Sequence, residues 1–278
     1  GGIVFADCGL IVEPSAEELA DIARVETLKR FRSGTEVHNK AGIWYDPVTD
    51  ADREAERALR RAIKAVYPSH GILGEEFGSE NDDAPFRWVL DPVDGTRAFV
   101  CGVPSWVTLI AFEHEGRSLV SVLDQPFTDE RWIGEPERCL YKKSDAPAPC
   151  KTSGESDLAN ARITTTDPRA SGYFTSGEAA MFEEIAEKAR LARFSLDAYG
   201  YGLLASGEID LVIEAGLAHH DYAALAPVVE GAGGVITNWR GGPFNASRRG
   251  RVLAAASPAL HKTVLDLLRE NEGAWSAG

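Results

Sequence analysis

The apolar positions of the chain recur with two periods, one helical and one extended. Ser15 with Glu18 three residues later is the pattern of a capping box, a hydroxyl and a carboxylate each serving the other's backbone amide. Leu19, Ile22, Ala23 and Val25 then share one broad helical face. A second helix is predicted from Thr49. Asp50 and Asp52 lie in its first turn, Ala55, Leu59, Ile63 and Val66 form its buried stripe, and Pro68 stops it. Short apolar runs at 87–90, 106–112, 119–123, 162–165, 209–213 and 252–255 read as strands, and 177–191, 199–206 and 223–232 as helices. The polar stretch 80–85 is an exposed loop between Gly74-Glu75-Glu76 and the first of those strands. Strands interleaved with helices along the whole length predict layered α/β structure. The Pro-containing segment 144–149 marks the division into halves 1–147 and 148–278.

Composition narrows what such a fold can do. With 278 residues, 44% of them hydrophobic, the chain can bury a substantial core. Its formal net charge of -14 argues against a nucleic-acid backbone as partner. The same charge is compatible with a phosphate ester, because bound cations reverse the local sign. Cys8, Cys101, Cys139 and Cys150 contain no CxxC pair, so neither a zinc ribbon nor a disulfide framework is indicated, and a reducing cytoplasm is the simpler setting. The apolar start, Ile3 to Phe5 and Leu10 to Val12, is too short for a signal peptide, and no run approaches membrane-spanning length. Gly1-Gly2 reads as a processing remnant.

Four carboxylates stand in segments suited to a hard divalent cation and a phosphate. They are Glu75 in Gly74-Glu75-Glu76, Asp91 and Asp94 in the run 90–96, and Asp221 in 219–224. Mg2+ sites for phosphate chemistry take a few carboxylates and leave positions for water and substrate. Pro92 fixes the backbone after a strand, so that Asp91 and Asp94 can turn toward one point. Gly95 lets the chain pass close to a phosphate, and a helix beginning at Thr96 would aim the amides of Gly95 and Thr96 at its oxygens. Each residue also has an ordinary reading. Asp-Pro and Asp-Gly are common turn pairs, adjacent glutamates are usually solvated, and Asp52 and Asp221 stand where helix caps stand. His219 and His220 read as loop residues rather than zinc ligands, since neighbours in sequence point in different directions and no further His or Cys lies at ligand spacing.

In this order the segments resemble the inositol monophosphatase superfamily. The run Asp91 to Thr96 follows the apolar Trp88-Val89-Leu90, Gly-Glu-Glu stands upstream, and Val48-Thr49-Asp50-Ala51-Asp52 comes before both. Downstream, Asp221-Tyr222-Ala223-Ala224 is followed by Glu230-Gly231-Ala232-Gly233-Gly234, and the resemblance runs from about Ser15 to about Leu268. It implies an αβαβα sandwich of the inositol monophosphatase and fructose-1,6-bisphosphatase type, with an α+β N-terminal half, an α/β C-terminal half and metals at their junction. It further implies a Mg2+-dependent phosphomonoesterase that works as a homodimer. Glu75, Asp91, Asp94, Asp221 and the Val93 carbonyl would hold two or three Mg2+ ions. Thr96 with Asp52 and Glu75 would activate the attacking water. The family pattern Val-Thr-x-x-Asp selects Asp52 over Asp50.

The substrate-binding set implied is Gly95, Thr96, Asp197, Glu214 and Asp221. Glu214, seven residues before Asp221, takes the position of a carboxylate that contacts the alcohol part of the substrate. Asp197, ahead of the Tyr-rich run 199–204, resembles the histidinol-phosphate phosphatase branch, as do Asp124-Gln125-Pro126 and Glu130-Arg131-Trp132. Two acids beside a leaving group suit a cationic amine better than a neutral polyol. L-Histidinol phosphate is therefore the favoured substrate, in histidine biosynthesis, and inositol 1-phosphate or another sugar or polyol phosphate is the alternative. A catalytically idle, phosphatase-like binding protein fits less well, because all the metal carboxylates are present. The family usually has Trp or Tyr before the last aspartate, so His220 alters a wall of the substrate pocket.

Overall fold

The computed structural model describes residues 4–6, 9–11, 15–34, 37–39, 47–144 and 146–276; Gly1-Gly2, Ile3, Cys8, Val12 and Asp145 lie outside them. The N-terminal part begins with β1 (Val4–Ala6), β2 (Gly9–Ile11), α1 (Ala16–Leu28), β3 (Val37–Asn39), β4 (Pro47–Thr49) and α2 (Asp50–Val66). It continues through β5 (Gly71–Gly74), β6 (Gly78–Glu80), β7 (Phe86–Asp94), α3 (Thr96–Val100), β8 (Val107–His114), β9 (Arg117–Gln125), β10 (Glu130–Glu135), β11 (Arg138–Lys143) and β12 (Ala148–Cys150). The C-terminal part has β13 (Arg162–Thr165), α4 (Ser176–Lys188), β14 (Leu191–Phe194), α5 (Tyr199–Ala205), β15 (Leu211–Glu214), α6 (His219–Tyr222) and α7 (Leu225–Gly231). It closes with β16 (Val235–Thr237), β17 (Val252–Ala255), α8 (Pro258–Glu270) and α9 (Glu272–Trp275).

Two sheets carry the architecture. The larger has the order β12-β11-β10-β9-β8-β7-β5-β6, antiparallel except where β5 runs parallel to β7. The smaller has the order β14-β13-β15-β17-β16, with β13 parallel to both its neighbours. Successive strand residues face opposite sides, so each sheet sorts its apolar residues into two cores. Trp88, Leu90, Ile110 and Phe112 pack with Leu19, Leu59 and Ile63 of α1 and α2. Val89, Leu109, Leu123 and Trp132 face the other way, onto α5, α7 and one side of the smaller sheet, where Val212, Val252 and Ala254 meet them. Leu211, Ile213, Leu253 and Ala255 then face α4 and α8. The result is five layers, αβαβα, as expected, and each fully buried Leu or Ile contributes roughly 1.5–3 kcal/mol.

Helix starts follow the local chemistry. Ser15 accepts from the Glu18 amide at 3.2 Å while the Glu18 carboxylate accepts from the Ser15 amide at 2.7 Å. Several expectations need correction. Val25 and Val66 are 65% and 48% exposed, because the buried stripe of α1 is Leu19, Ala20, Ala23 and Thr27 and that of α2 ends at Ile63. The helix expected over 177–191 stops at Lys188, and Leu191 starts an edge strand whose entry is set by the Arg190 amide donating to the Ala161 carbonyl. The helix expected over 223–232 is α7, and the short α6 stands ahead of it, so His219 and His220 are helical rather than loop residues. Cys139 and Cys150, distant in sequence, are register partners on β11 and β12, and both are free thiols. No helix among the described residues is long and apolar enough to cross a membrane.

Candidate active site

Strand alternation aims the first carboxylate. Trp88 and Leu90 enter the outer core with α1 and α2, so Val89 and Asp91 face the middle layer. Pro92 follows, and the pairing of β7 with β8 shifts register between Asp91 and Asp94. That irregularity brings Asp94 to the same side. Thr108 Oγ1 donates to the Pro92 carbonyl at 2.7 Å and the Val93 amide to Asp91 Oδ1 at 3.1 Å, which holds the kink. Gly95 then turns with φ +82°, and α3 begins at Thr96 as the sequence suggested. A Cβ at Gly95 would stand 3.0–3.1 Å from the Asp197 carboxylate, so both the backbone angle and the close approach require glycine.

Glu75 leaves the end of β5 beside β7, its amide donating to the Leu90 carbonyl at 3.2 Å. The turn is shaped by Glu56, fully buried on α2, which accepts from the amides of Glu76 at 2.7 Å and Phe77 at 3.2 Å. Arg60 Nε pairs with the same carboxylate at 2.8 Å. Glu76 takes part in this turn through its amide. Asp52 is also fully buried, with Oδ2 accepting from the Thr49 amide at 2.8 Å and the Thr49 hydroxyl at 2.7 Å. Its Oδ1 lies 3.3 Å from Thr96 Oγ1, which also reaches the Val93 carbonyl at 3.0 Å. Asp52 is therefore both cap and partner of Thr96.

The smaller sheet supplies the opposite wall. Leu211 and Ile213 face the outer core, so Val212 and Glu214 face inward. Glu214 accepts from the Thr166 amide at 3.1 Å and the Tyr201 hydroxyl at 3.0 Å. Asp197 sits just before α5 with φ +49°, and the next amide, of Ala198, donates to Asp94 Oδ2 at 2.7 Å. Asp221 lies in the first turn of α6, and its Oδ2 accepts from the Ala218 amide at 2.7 Å. The two histidines do point apart. His219 Nε2 meets Glu113 at 2.7 Å, where Arg87 also binds at 2.6 Å, whereas His220 Nδ1 lies 2.8 Å from Asp221 Oδ1.

Glu75, Asp91, Val93, Asp94, Gly95, Thr96, Asp197, Glu214, His220 and Asp221 all line one cavity of about 430 Å³, with Asp52 set behind Thr96. Side-chain donor atoms of Asp91, Asp94 and Asp221 lie within 4.8 Å of one another, and so do those of Glu75, Asp91 and His220. Burial, then the neighbouring Glu75, Asp94 and Asp221 charges, holds Asp91 well above the usual carboxylate range. Burial, then Asp197 and Asp221, does the same to Asp94. Burial raises Asp52 to about 6 despite the Thr49 hydrogen bonds, Asp197 to about 6 against the pull of Arg97, and Glu214 to about 7. Crowded anions in a low-dielectric pocket are an arrangement that a bound cation relieves.

Some contributors were not visible in the sequence. Glu56 reads as one more charge on a charged helix; its only signal is Arg60 one turn later. Tyr173 reaches the cavity from a loop and carries the Arg97 guanidinium over its ring at 5.0 Å, and no motif marks it. Thr166 and Tyr201 hold Glu214 from separate segments.

Comparison with known proteins bears on this geometry. The model of the inositol monophosphatase family matches residues 12–272. The bifunctional phosphatase IMPL2, chloroplastic, of Arabidopsis thaliana is 37% identical over 90% of this chain and 72% of its own. A histidinol-phosphatase of Mycobacterium tuberculosis is 34% identical, covering 90% of this chain and 95% of that one. The solved structure of an inositol monophosphatase from Zymomonas mobilis superposes with a TM-score of 0.79 at 37% identity, over 91% of this chain and 96% of that chain.

Proposed function

Because the chain belongs to the inositol monophosphatase family, we propose that it hydrolyses L-histidinol phosphate to L-histidinol and inorganic phosphate. As a member of that family it is a phosphoric monoester hydrolase acting on small phosphorylated substrates. The observation that carries the choice of alcohol is the placement of Asp197 and Glu214 in the cavity that holds the four candidate metal carboxylates. An ammonium group gains from two acids there, and a neutral polyol gains less. The similarity to a histidinol-phosphatase supports the same choice, while the similarity to a bacterial inositol monophosphatase keeps inositol 1-phosphate as the alternative.

The donor set fits a divalent cation: grouped carboxylates within 4.8 Å, of which Asp91 and Asp94 are held above their usual range by burial and then by neighbouring carboxylate charges. Glu75, Asp91, Asp94, Asp221 and the Val93 carbonyl would hold Mg2+, in two or three ions. When bound, Mg2+ supplies Lewis acidity toward the phosphoryl oxygens and lowers the pKa of water. The amides of Gly95 and Thr96 receive the phosphate. Thr96 Oγ1 takes a proton from the attacking water and passes its own to Asp52 Oδ1, 3.3 Å away, while Glu75 helps orient the water. Asp197 and Glu214 position the amine of the departing alcohol. The N-terminal part, through β12, and the C-terminal part both contribute to the site, and a cytoplasmic homodimer completes the proposal.

The test is phosphate release by the purified protein with Mg2+, comparing kcat/KM for L-histidinol phosphate and D,L-inositol 1-phosphate, with and without EDTA. A preference for histidinol phosphate above about tenfold, about 1.4 kcal/mol of differential binding, supports the proposal. The reverse preference moves the substrate to the polyol class. Absence of chelator-sensitive release from both overturns the catalytic reading of the site.

A further inference from the structure

Resting on the reading of Glu75 and Asp91 as metal ligands, we propose that His220 adds a nitrogen donor to their position, so that it takes a transition-metal dication such as Co2+ or Zn2+ in preference to Mg2+. The candidate donors form two groups that share Asp91. One, with Asp94 and Asp221, is all oxygen; the other, with Glu75 and His220, contains an imidazole. Mg2+ demands oxygen ligands, whereas imidazole suits Zn2+, Co2+ and Ni2+, whose affinities for mixed nitrogen and oxygen sites follow the Irving–Williams order. The two positions therefore differ in chemical preference within one cavity.

Two further features support the assignment. First, α6 is anchored through His219, which meets Glu113 at 2.7 Å, and Glu113 binds Arg87 at 2.6 Å, both on the larger sheet. That anchor turns the adjacent residue toward the cavity, because neighbouring helical side chains diverge by about 100°. Finally, His220 is half-buried in the cavity wall.

The experiment uses the full chain, stripped with a chelator. Calorimetric titration with Co2+ and with Mg2+ is compared for the parent and His220→Phe, and the pulsed electron paramagnetic resonance of added Cu2+ is examined for coupling to imidazole nitrogen. The expected result is nitrogen coupling in the parent and its loss in the variant, with Co2+ affinity lowered at least about tenfold and Mg2+ affinity within about threefold. Unchanged Co2+ affinity in H220F, or no nitrogen coupling in the parent, overturns the proposal while leaving the Mg2+ reading in place. If H220F does not fold, His220→Asn takes its place with the same readouts. Failure of the parent to bind either ion would remove the metal reading and this inference together.

Discussion

Replacing Asp52 by Asn separates what this carboxylate does for catalysis from what it costs the fold. Asp52 is fully buried, and burial raises it from 3.8 to about 6. That displacement corresponds to about 3 kcal/mol of preference for the neutral form. Because folding raises the pKa, the folded chain binds the proton more tightly than the unfolded one. Stability is therefore fully present below about pH 4, falls as pH rises to about 6, and is level above that. Asn keeps the shape. Its oxygen can accept from the Thr49 amide and hydroxyl, and its NH2 faces Thr96 Oγ1. At pH 7.5 the metal-free D52N protein should gain stability, by at most about 3 kcal/mol, a Tm rise of a few degrees for a chain of this size. Turnover should move the other way. Loss of the proton acceptor behind Thr96 should lower kcat by about 10²–10⁴-fold. The assays are thermal melts from pH 4 to 8 and phosphate release with saturating Mg2+. A kcat within tenfold of the parent, or a melt that drops by several degrees, would show that Asp52 is only a helix cap and refute the reasoning.

Three other outcomes follow from the same geometry. Asp94→Asn should abolish Mg2+-dependent phosphate release while leaving the circular dichroism intact, because Asn can still accept from the Ala198 amide; near-normal turnover would remove Asp94 from the metal set. Asp197→Asn should raise KM for L-histidinol phosphate by about tenfold or more and leave that for inositol 1-phosphate nearly unchanged, and equal effects on both would exclude amine recognition by this residue. Gly95→Ala should lose about 1–3 kcal/mol of stability, read by urea unfolding, since φ is +82° and the new methyl meets Asp197; an unchanged midpoint would mean that the turn relaxes without strain.

The layered architecture and the carboxylate set were legible because their signals are local. Asp91, Pro92, Asp94 and Gly95 lie within one strand end and turn, and their residue types nearly dictate the kink that gathers them. Val25 and Val66 misled because a helical wheel shows where an apolar stripe could lie, not how far the neighbouring layer extends over it. In sequence His220 reads as a loop residue, because its direction is decided elsewhere: Arg87 and Glu113 on two strands of the larger sheet hold His219 and so orient α6. Glu56 escaped notice for a related reason. Its burial depends on a turn more than one element downstream, whose amides it caps. Residues whose role is set by long-range docking leave little trace in a local pattern.

The contact between Gly95 and Asp197 has a consequence for how such a site can diversify. Both residues line the same cavity, and they approach so closely that a single added carbon at Gly95 would press on Asp197. Asp197 itself occupies a left-handed backbone angle, which further narrows its replacements. Changes at position 197 are thus coupled to the turn at Gly95. A bulkier side chain at position 197 would have to share that space with the Gly95 turn.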